Sequence, residues 1–484
     1  MSVFSRLVLR NSAFGMGGQI AIKLLSFGFS VLIVRNLGAD AYGQYAGVLA
    51  FGAMFVFISD LGLGPFAVRQ VARNRDAPDG HAQAGALYGN VLVLRLLLSL
   101  LASVLMIGAA FLTERPFVVV GAIALGAIGL MMYGVQGASD AVLAGFERLD
   151  LSAGAKVLNQ AGFVLVGGLA LWLGLGYYGL ILANLIGVAL MTAVCVRGVR
   201  RLGVRPGAAV PAAWPSLLRA SVPFGLIAFT LGLSYKFDSL LLSLFRGDAE
   251  TGYYNAAYNL VFSATVLSNV INVALYPAMT RQAVNAPESL PDTYGRAFRY
   301  LMAISLPIAM GTWAFADQLV PFLFTSAYAA AAPALRIVIW AAPLMFASEF
   351  LGYVVVIRGE ESRVARSVII STGLNVALNL YLVPRFGLLA AAAMTVATEA
   401  VLVGQYVWLL RGILARFNWN RTLLRPVLAT ALMGAVALLL PGLPVLASIA
   451  LSGAVYVAGS LGLGVVGIEE LRMVRGASSA GRAQ

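Results

Sequence analysis

From residue 12 to residue 466 the sequence is a succession of apolar stretches, each about 20 residues long, and that pattern leaves little choice of fold. A helix of roughly 20 residues crosses the ~30 Å hydrocarbon layer of a membrane. In lipid, only helices and closed barrels satisfy their own backbone groups. The stretches run over 12–34, 43–63, 85–112, 117–139, 153–175, 178–197, 219–245, 254–277, 297–316, 333–357, 364–384, 387–410, 424–440 and 444–466. Hydrophobic residues make up 60% of the chain and charged residues 11%, with a mean hydropathy of +0.88. No segment of soluble composition separates the stretches, so the expected fold is an all-α integral membrane protein with about 14 transmembrane helices. The first stretch is too long for the apolar region of a signal peptide and contains Lys23, so it is read as a span.

Basic residues set the expected orientation. With both termini in the cytoplasm, 25 of the 33 Lys and Arg fall on cytoplasmic segments. These include Arg69 to Arg75, Arg197 to Arg219, Arg411 to Arg425 and Arg472 to Arg482. The opposite face holds five: Arg35, Arg115, Arg246, Arg336 and Arg385. Topology and attraction to anionic lipid heads account for the net charge of +13, and nothing calls for nucleic acid as a partner.

Several chemistries are excluded. Cys195 and His81 are the sole residues of their types, which rules against a disulfide framework, a cysteine or histidine metal centre, or a histidine-based catalytic arrangement. No Gly-rich phosphate loop is present, so the chain is not expected to hydrolyse ATP. The expectation is a protein with no catalytic residues, metal or cofactor, driven by a gradient or by consumption of its product.

The two halves of the chain echo each other. "GPFAVRQVA" (64–72) after the second stretch matches "YPAMTRQAV" (276–284) after the eighth, placing Pro65, Arg69 and Gln70 on Pro277, Arg281 and Gln282. "LGADAYGQY" (37–45) resembles "GDAETGYYNAAY" (247–258), with Gly43 and Tyr45 on Gly252 and Tyr254. An even number of spans separates the copies, so the halves share one orientation and are related by an axis along the membrane normal. The expected organisation is an N-terminal lobe of six spans (1–200), a cytoplasmic linker (201–218), a second six-span lobe (219–412), and a C-terminal pair of spans with a cytoplasmic tail (413–484).

Charge inside the spans is where function should lie. Lys23 precedes Arg35 by 12 residues and Lys236 precedes Arg246 by 10, which puts both near the bilayer midplane. Ammonium groups at that depth are cheaper in a hydrated cavity than in lipid, and a cavity with two cations suits an anion such as a phosphate. Arg95 either joins them or snorkels to the interface. Asp238, Glu349 and Glu399 are candidate coupling or structural acids. Asp60 is expected to pair with Arg69. In the eighth stretch, Asn269 and Asn272 suit sugar hydroxyls or plain helix packing.

These segments look familiar. "RNLGADAYGQYAGVLAF" (35–51) with "SDLGLGPFAVRQVAR" (59–73), "YKFDSLLLSLFRGDAETGYYNAAYNLVF" (235–262) with "LYPAMTRQ" (275–282), and "PFLFTSAYAAAAPALRIVIW" (321–340) resemble the Wzx-type oligosaccharide flippases. These belong to the multidrug/oligosaccharidyl-lipid/polysaccharide exporter superfamily. The resemblance covers essentially the whole chain. It implies translocation of undecaprenyl-diphosphate-linked repeat units across the bacterial inner membrane for exopolysaccharide, O-antigen or capsule assembly, with membrane lipids and a lipid-linked oligosaccharide as partners. A polymerase and chain-length or export components are further candidate partners. It also implies a cationic central cavity, matched by Lys23 and Lys236 and less closely by Arg95. Three alternatives stay open: a cation-coupled multidrug extruder, a lipid II flippase, and a membrane enzyme such as a sugar polymerase or ligase. The enzyme would need a large outer catalytic loop, and the longest expected loop, 317–332, has Asp317 as its one ionisable residue.

Overall fold

A computed structural model of the chain describes the backbone of residues 3–439 and 443–465. It describes side chains from residue 23 onward, other than those of residues 24, 227, 231 and 234. The basic tail residues Arg472, Arg475 and Arg482 lie outside the described residues. Among the described residues the regular elements are helices, with no strand. That is what an apolar chain without water to bind its backbone must do.

Contacts gather the chain into two compact units. An N-terminal unit comprises Leu24–Gly252 and Val383–Arg385. It holds most of α1 (Val3–Asp60), then α2 (Leu63–Asn74), α3 (Gly80–Leu112), α4 (Phe117–Gly145), α5 (Leu149–Trp172), α6 (Gly176–Arg201), α7 (Trp214–Phe245) and the first turn of α8 (Asp248–Asn285). A C-terminal unit comprises Tyr253–Leu382 and the described residues of Phe386–Gln484, together with those of Met1–Lys23. Its helices are the rest of α8, α9 (Leu290–Ala314), α10 (Ala316–Phe324), α11 (Ala332–Val338), α12 (Ala341–Ile357), α13 (Glu361–Leu409), α14 (Arg411–Leu414), α15 (Arg425–Leu438) and α16 (Val445–Gly462). These units divide the chain at other points than the repeat does, because α7 packs with the helices that precede it.

The core of the N-terminal unit is built from Leu63, Val71, Tyr88, Leu143, Cys195 and their neighbours. In α5 and α6, Gly162 and Gly187 let the backbones approach closely; a Cβ on Gly187 would lie 2.8 Å from the Asn159 carbonyl oxygen. Outside the helices, Arg75 donates to Glu147 at 2.9 Å, and that bond holds its guanidinium above the ordinary value while tying the end of α2 to the turn after α4. The segment expected as a cytoplasmic linker is held against α3. Gly207 N donates to the Gly85 carbonyl at 2.8 Å, and the Asn90 Oδ1 accepts from Val210 N at 2.8 Å and Trp214 Nε1 at 3.1 Å. α7 begins at Trp214, inside the expected linker.

The C-terminal unit packs aromatic residues: Phe350 meets Tyr294 at 6.3 Å and Phe298 at 5.9 Å, between α12 and α9. The last two spans dock on α9, where the Tyr456 hydroxyl donates to the Ala303 carbonyl at 2.6 Å. Arg425 in turn donates to the Leu463 carbonyl at 2.9 Å, closing α15 on the end of α16. The expected outer loop 317–332 is mostly α10 and a 3-10 turn, Ser326–Ala331, with Asp317 paired to Arg336. On the outside of the helices, Leu112, Phe117 and Trp172 are each more than 80% exposed (87%, 84% and 81%), as a surface turned to acyl chains requires.

In their described residues the fourteen apolar segments fall largely on helix, but they are not fourteen separate rods. Among the described residues ten helices are long and apolar enough to cross a membrane, or eleven if the bent pair Ser326–Val338 and Ala341–Ile357 forms one span. Of the difference from the expected fourteen, two spans have a local cause, and the helix over the expected span 297–316, α9, is not among the ten. α1 carries two apolar segments joined at Gly38 (φ 72°), and α13 two joined at Gly387 (φ 62°). In both places a left-handed glycine redirects the chain within one or two residues, leaving no loop between the segments.

The repeat has a structural signature. Gly38 and Gly247 both have positive φ, 72° and 91°, and stand at the offset that relates Gly43 to Gly252. The two turns then meet reciprocally. A Cβ on Gly43 would fall on the carbonyl oxygen of Asp248, and a Cβ on Gly252 on that of Ala39, the residue matching Asp248. A contact in which each copy offers the other the same two positions is what twofold symmetry produces.

Candidate functional site

In the N-terminal unit α1 and α3 carry a buried ion pair. Arg95, 7% exposed, binds the Asp60 carboxylate, which also accepts from Gly64 N at 3.2 Å. This replaces the expected Asp60–Arg69 pair: α3 brings Arg95 to the carboxylate from inside the bundle. It also corrects both expectations for Arg95, which neither snorkels nor offers a free charge. Glycine makes the space, since a Cβ on Gly64 would lie 3.2 Å from the guanidinium and one on Gly137 would strike it. Beside the pair is a cavity of about 130 Å3, lined by Asp60, Phe57, Gly62, Gly225 and Phe229. The Phe57 and Phe229 rings pack together in its wall, with centres 4.6 Å apart. With its one carboxylate already neutralised and the rest of its wall apolar or glycine, this pocket is poorly suited to a diphosphate.

In the C-terminal unit α8 and α12 bring a second polar group together. Asn269 Nδ2 donates to Glu349 Oε1 at 2.8 Å. Tyr276 and Tyr353, further along the same helices, have ring centres 5.2 Å apart. Asn269 is exposed, and Glu349, Tyr276 and Tyr353 are half-buried. Next to Glu349 in sequence, Ser348 donates to Glu399 Oε2 of α13 at 3.1 Å. Asn272, fully buried, donates to Ser268 Oγ of its own helix at 3.0 Å, which is the packing use of that residue.

The two lysines are held differently. Lys23 is exposed and lies over the Phe262 ring, 5.8 Å from its centre, an arrangement that favours a cation. Lys236 is half-buried, while Asp238 two residues on is buried and partnered. Counted from the positive-φ glycines, Lys23 is 15 residues ahead of Gly38 and Lys236 is 11 ahead of Gly247. Four residues are one turn, so each stands on about the same face of its own helix relative to that glycine.

The Asn269–Glu349 bond and the tyrosine pair were not foreseen. Their signal in the sequence was spacing: Tyr276 stands two turns beyond Asn269 and Tyr353 one turn beyond Glu349, so each pair shares a helix face. Among the described residues no group of three His, Cys, Asp or Glu could hold a metal ion.

Comparison with known proteins bears on the family and the fold. A family described as polysaccharide biosynthesis protein matches residues 8–282, and the MatE family matches residues 223–381. A probable low-salt glycan biosynthesis flippase of Haloferax volcanii is 22% identical over 165 residues, 34% of this chain and 35% of that protein. The match therefore spans about a third of that relative's length. Among solved structures, the lipid II flippase MurJ in an inward-closed conformation superposes with a TM-score of 0.78 at 12% identity, over 93% of this chain and 98% of that one. An inward-facing multidrug resistance transporter of the MATE family gives 0.65 at 16% identity, over 82% and 95%. At these identities the two structures are alike in fold.

Proposed function

Since the chain belongs to the polysaccharide biosynthesis protein family, we propose that it is a flippase carrying undecaprenyl-diphosphate-linked oligosaccharide repeat units from the cytoplasmic to the outer leaflet of the bacterial inner membrane. The observation that carries this reading is the family match over residues 8–282 on a multi-pass helical chain with the fold of a lipid flippase. The glycan flippase of Haloferax volcanii supports the same substrate class.

The chemistry the chain must perform is to bring a diphosphate and a sugar through hydrocarbon. An unpartnered diphosphate loses many kcal/mol of hydration on entering lipid, which makes the spontaneous exchange slow. Lys23 and Lys236 supply the compensating charge as compact, mobile ammonium groups near mid-membrane depth. The sugar meets polar side chains of which Asn269 is one, the polyprenyl tail stays in lipid, and the cycle is alternating access. Arg95 is assigned a structural role in its pair with Asp60 instead of a place on the substrate. Asp238, Glu349 and Glu399 are the acids available for coupling or support. Cytoplasmic termini follow from the distribution of basic residues, and a polymerase with chain-length or export components would receive the product.

The test is leaflet exchange of a lipid-linked oligosaccharide in vesicles containing the purified chain. Wild-type protein exchanges the lipid, and the double substitution Lys23→Met with Lys236→Met abolishes exchange while leaving membrane insertion intact. Wild-type rates in the double mutant would refute the assignment. One observation favours a second reading: the MatE match over residues 223–381 fits a cation-coupled drug extruder. Deletion of the gene would then sensitise cells to cationic drugs without altering surface polysaccharide, the reverse of what a flippase predicts.

A further inference from the structure

We propose that Asn269, Glu349, Tyr276 and Tyr353 form a subsite that recognises a hexopyranose of the cargo, separately from the lysines that hold its diphosphate. This rests on the flippase reading above and assigns it a specificity determinant. All four side chains belong to the C-terminal unit and stand on two helices, α8 and α12.

The first argument is charge. Among the described residues Glu349 has no ion-pair partner, and Asn269, which occupies one of its oxygens, is neutral. A bond serving only to join two helices would need no carboxylate, because a hydroxyl or amide makes it without carrying a charge into the membrane. The carboxylate stands there at that cost, with acceptor positions beyond the one Asn269 fills open to a ligand.

The second argument is inventory. A carboxylate accepts at about four lone-pair positions and donates nothing. With one position taken by Asn269, Glu349 offers the rest to O–H donors. A sugar ring is the part of a lipid-linked glycan that presents several such donors on one small group. The amide of Asn269 keeps a second N–H, so the pair can give one hydrogen bond and accept others, the pattern a ring with vicinal hydroxyls matches.

The third argument is shape. Tyr276 lies seven residues beyond Asn269, and Tyr353 four beyond Glu349, so on each helix the polar residue and the ring share a face. The rings meet at 5.2 Å with their planes inclined by 49°, forming an angled apolar wall beside the polar pair. Sugars present hydroxyls at the rim and C–H groups on the ring face, so one such ring would satisfy both surfaces at once. Partial exposure of all four residues leaves the group accessible. Glu399 and Asn272 by contrast are tied to Ser348 and Ser268.

The experiment uses the full chain in lipid nanodiscs and two probes, undecaprenyl diphosphate and the same lipid carrying one hexose. Glu349→Gln keeps an acceptor for Asn269 and removes the charge; Tyr353→Leu removes one ring. Wild-type protein should bind the hexose-bearing lipid about tenfold more tightly than the bare one, and each variant should cut that preference to about threefold or less. Binding of the bare lipid stays unchanged, which also reports an intact fold. A preference preserved in both variants, or an equal loss for both lipids, overturns the subsite and leaves the flippase reading standing. So does loss of a sodium or proton dependence in Glu349→Gln with the sugar preference intact, which would make Glu349 a coupling group. If the wild-type chain binds neither lipid, the function proposed above fails and the subsite fails with it.

Discussion

Arg95 and Asp60 show how much of a buried charge depends on its partner. Each is a costly group inside an apolar helix, and together they cancel, with Gly64 and Gly137 clearing the guanidinium. Replacing Asp60 with Asn strips the buried Arg95 of the carboxylate it binds. Thermal denaturation in detergent should register a loss of about 3–5 kcal/mol, and Asp60→Leu combined with Arg95→Met should recover most of it. A double mutant no more stable than Asp60→Asn would count against the pairing as the reason Arg95 is tolerated. The charges themselves were legible in the sequence, because an ionisable residue in an apolar run stands out by composition. Their pairing was not. Arg69 is nine residues from Asp60 and Arg95 is 35, and only the packing of α3 against the end of α1 decides between them. The same holds for Glu349: its position in a span was evident, but its bond to Asn269 joins residues 80 apart.

At the scale of elements, apolar run length located the long helices, while the short helices α2, α10 and α14, the breaks and the strap followed other rules. Gly38 and Gly387 end one segment and begin the next with a single backbone inversion, which run length cannot register. Gly38→Ala should cost about 1–2 kcal/mol, the penalty for a side chain in the left-handed region. Gly247→Ala should cost a similar amount, whereas Gly28→Ala, with open space at its Cβ, should behave as wild type in the same melting experiment. The linker is a second case. Its prolines and arginines mark it as a linker, and in the structure Asn90 accepts from both Val210 and Trp214. Asn90→Ala should free that segment, and trypsin should cut after Arg201, at its start, several times faster than in the wild-type chain. Unchanged cleavage would mean that the strap is held elsewhere.

For the molecule as a whole the number of crossings is the quantity to measure, and Cys195 makes it accessible. It is the one cysteine and is buried, so Cys195→Ser yields a background in which any new thiol reports alone. If α13 crosses twice, cysteines placed at Glu361 and Arg411, its two flanks, will react with an impermeant maleimide from the same side of the membrane. Reaction from opposite sides would make it a single crossing and remove one of the fourteen. Beyond topology, the meeting of Gly43 with Asp248 and of Gly252 with Ala39 limits how the chain can change over generations. Neither turn has room to acquire a side chain unless the other withdraws its main chain, so the ancestral copies are coupled in their drift at this spot. Much of the remaining sequence can diverge until its common origin is invisible. A mutual backbone contact of this kind ties the two glycines together, so that a side chain gained at one turn has to be answered by a shift of the other.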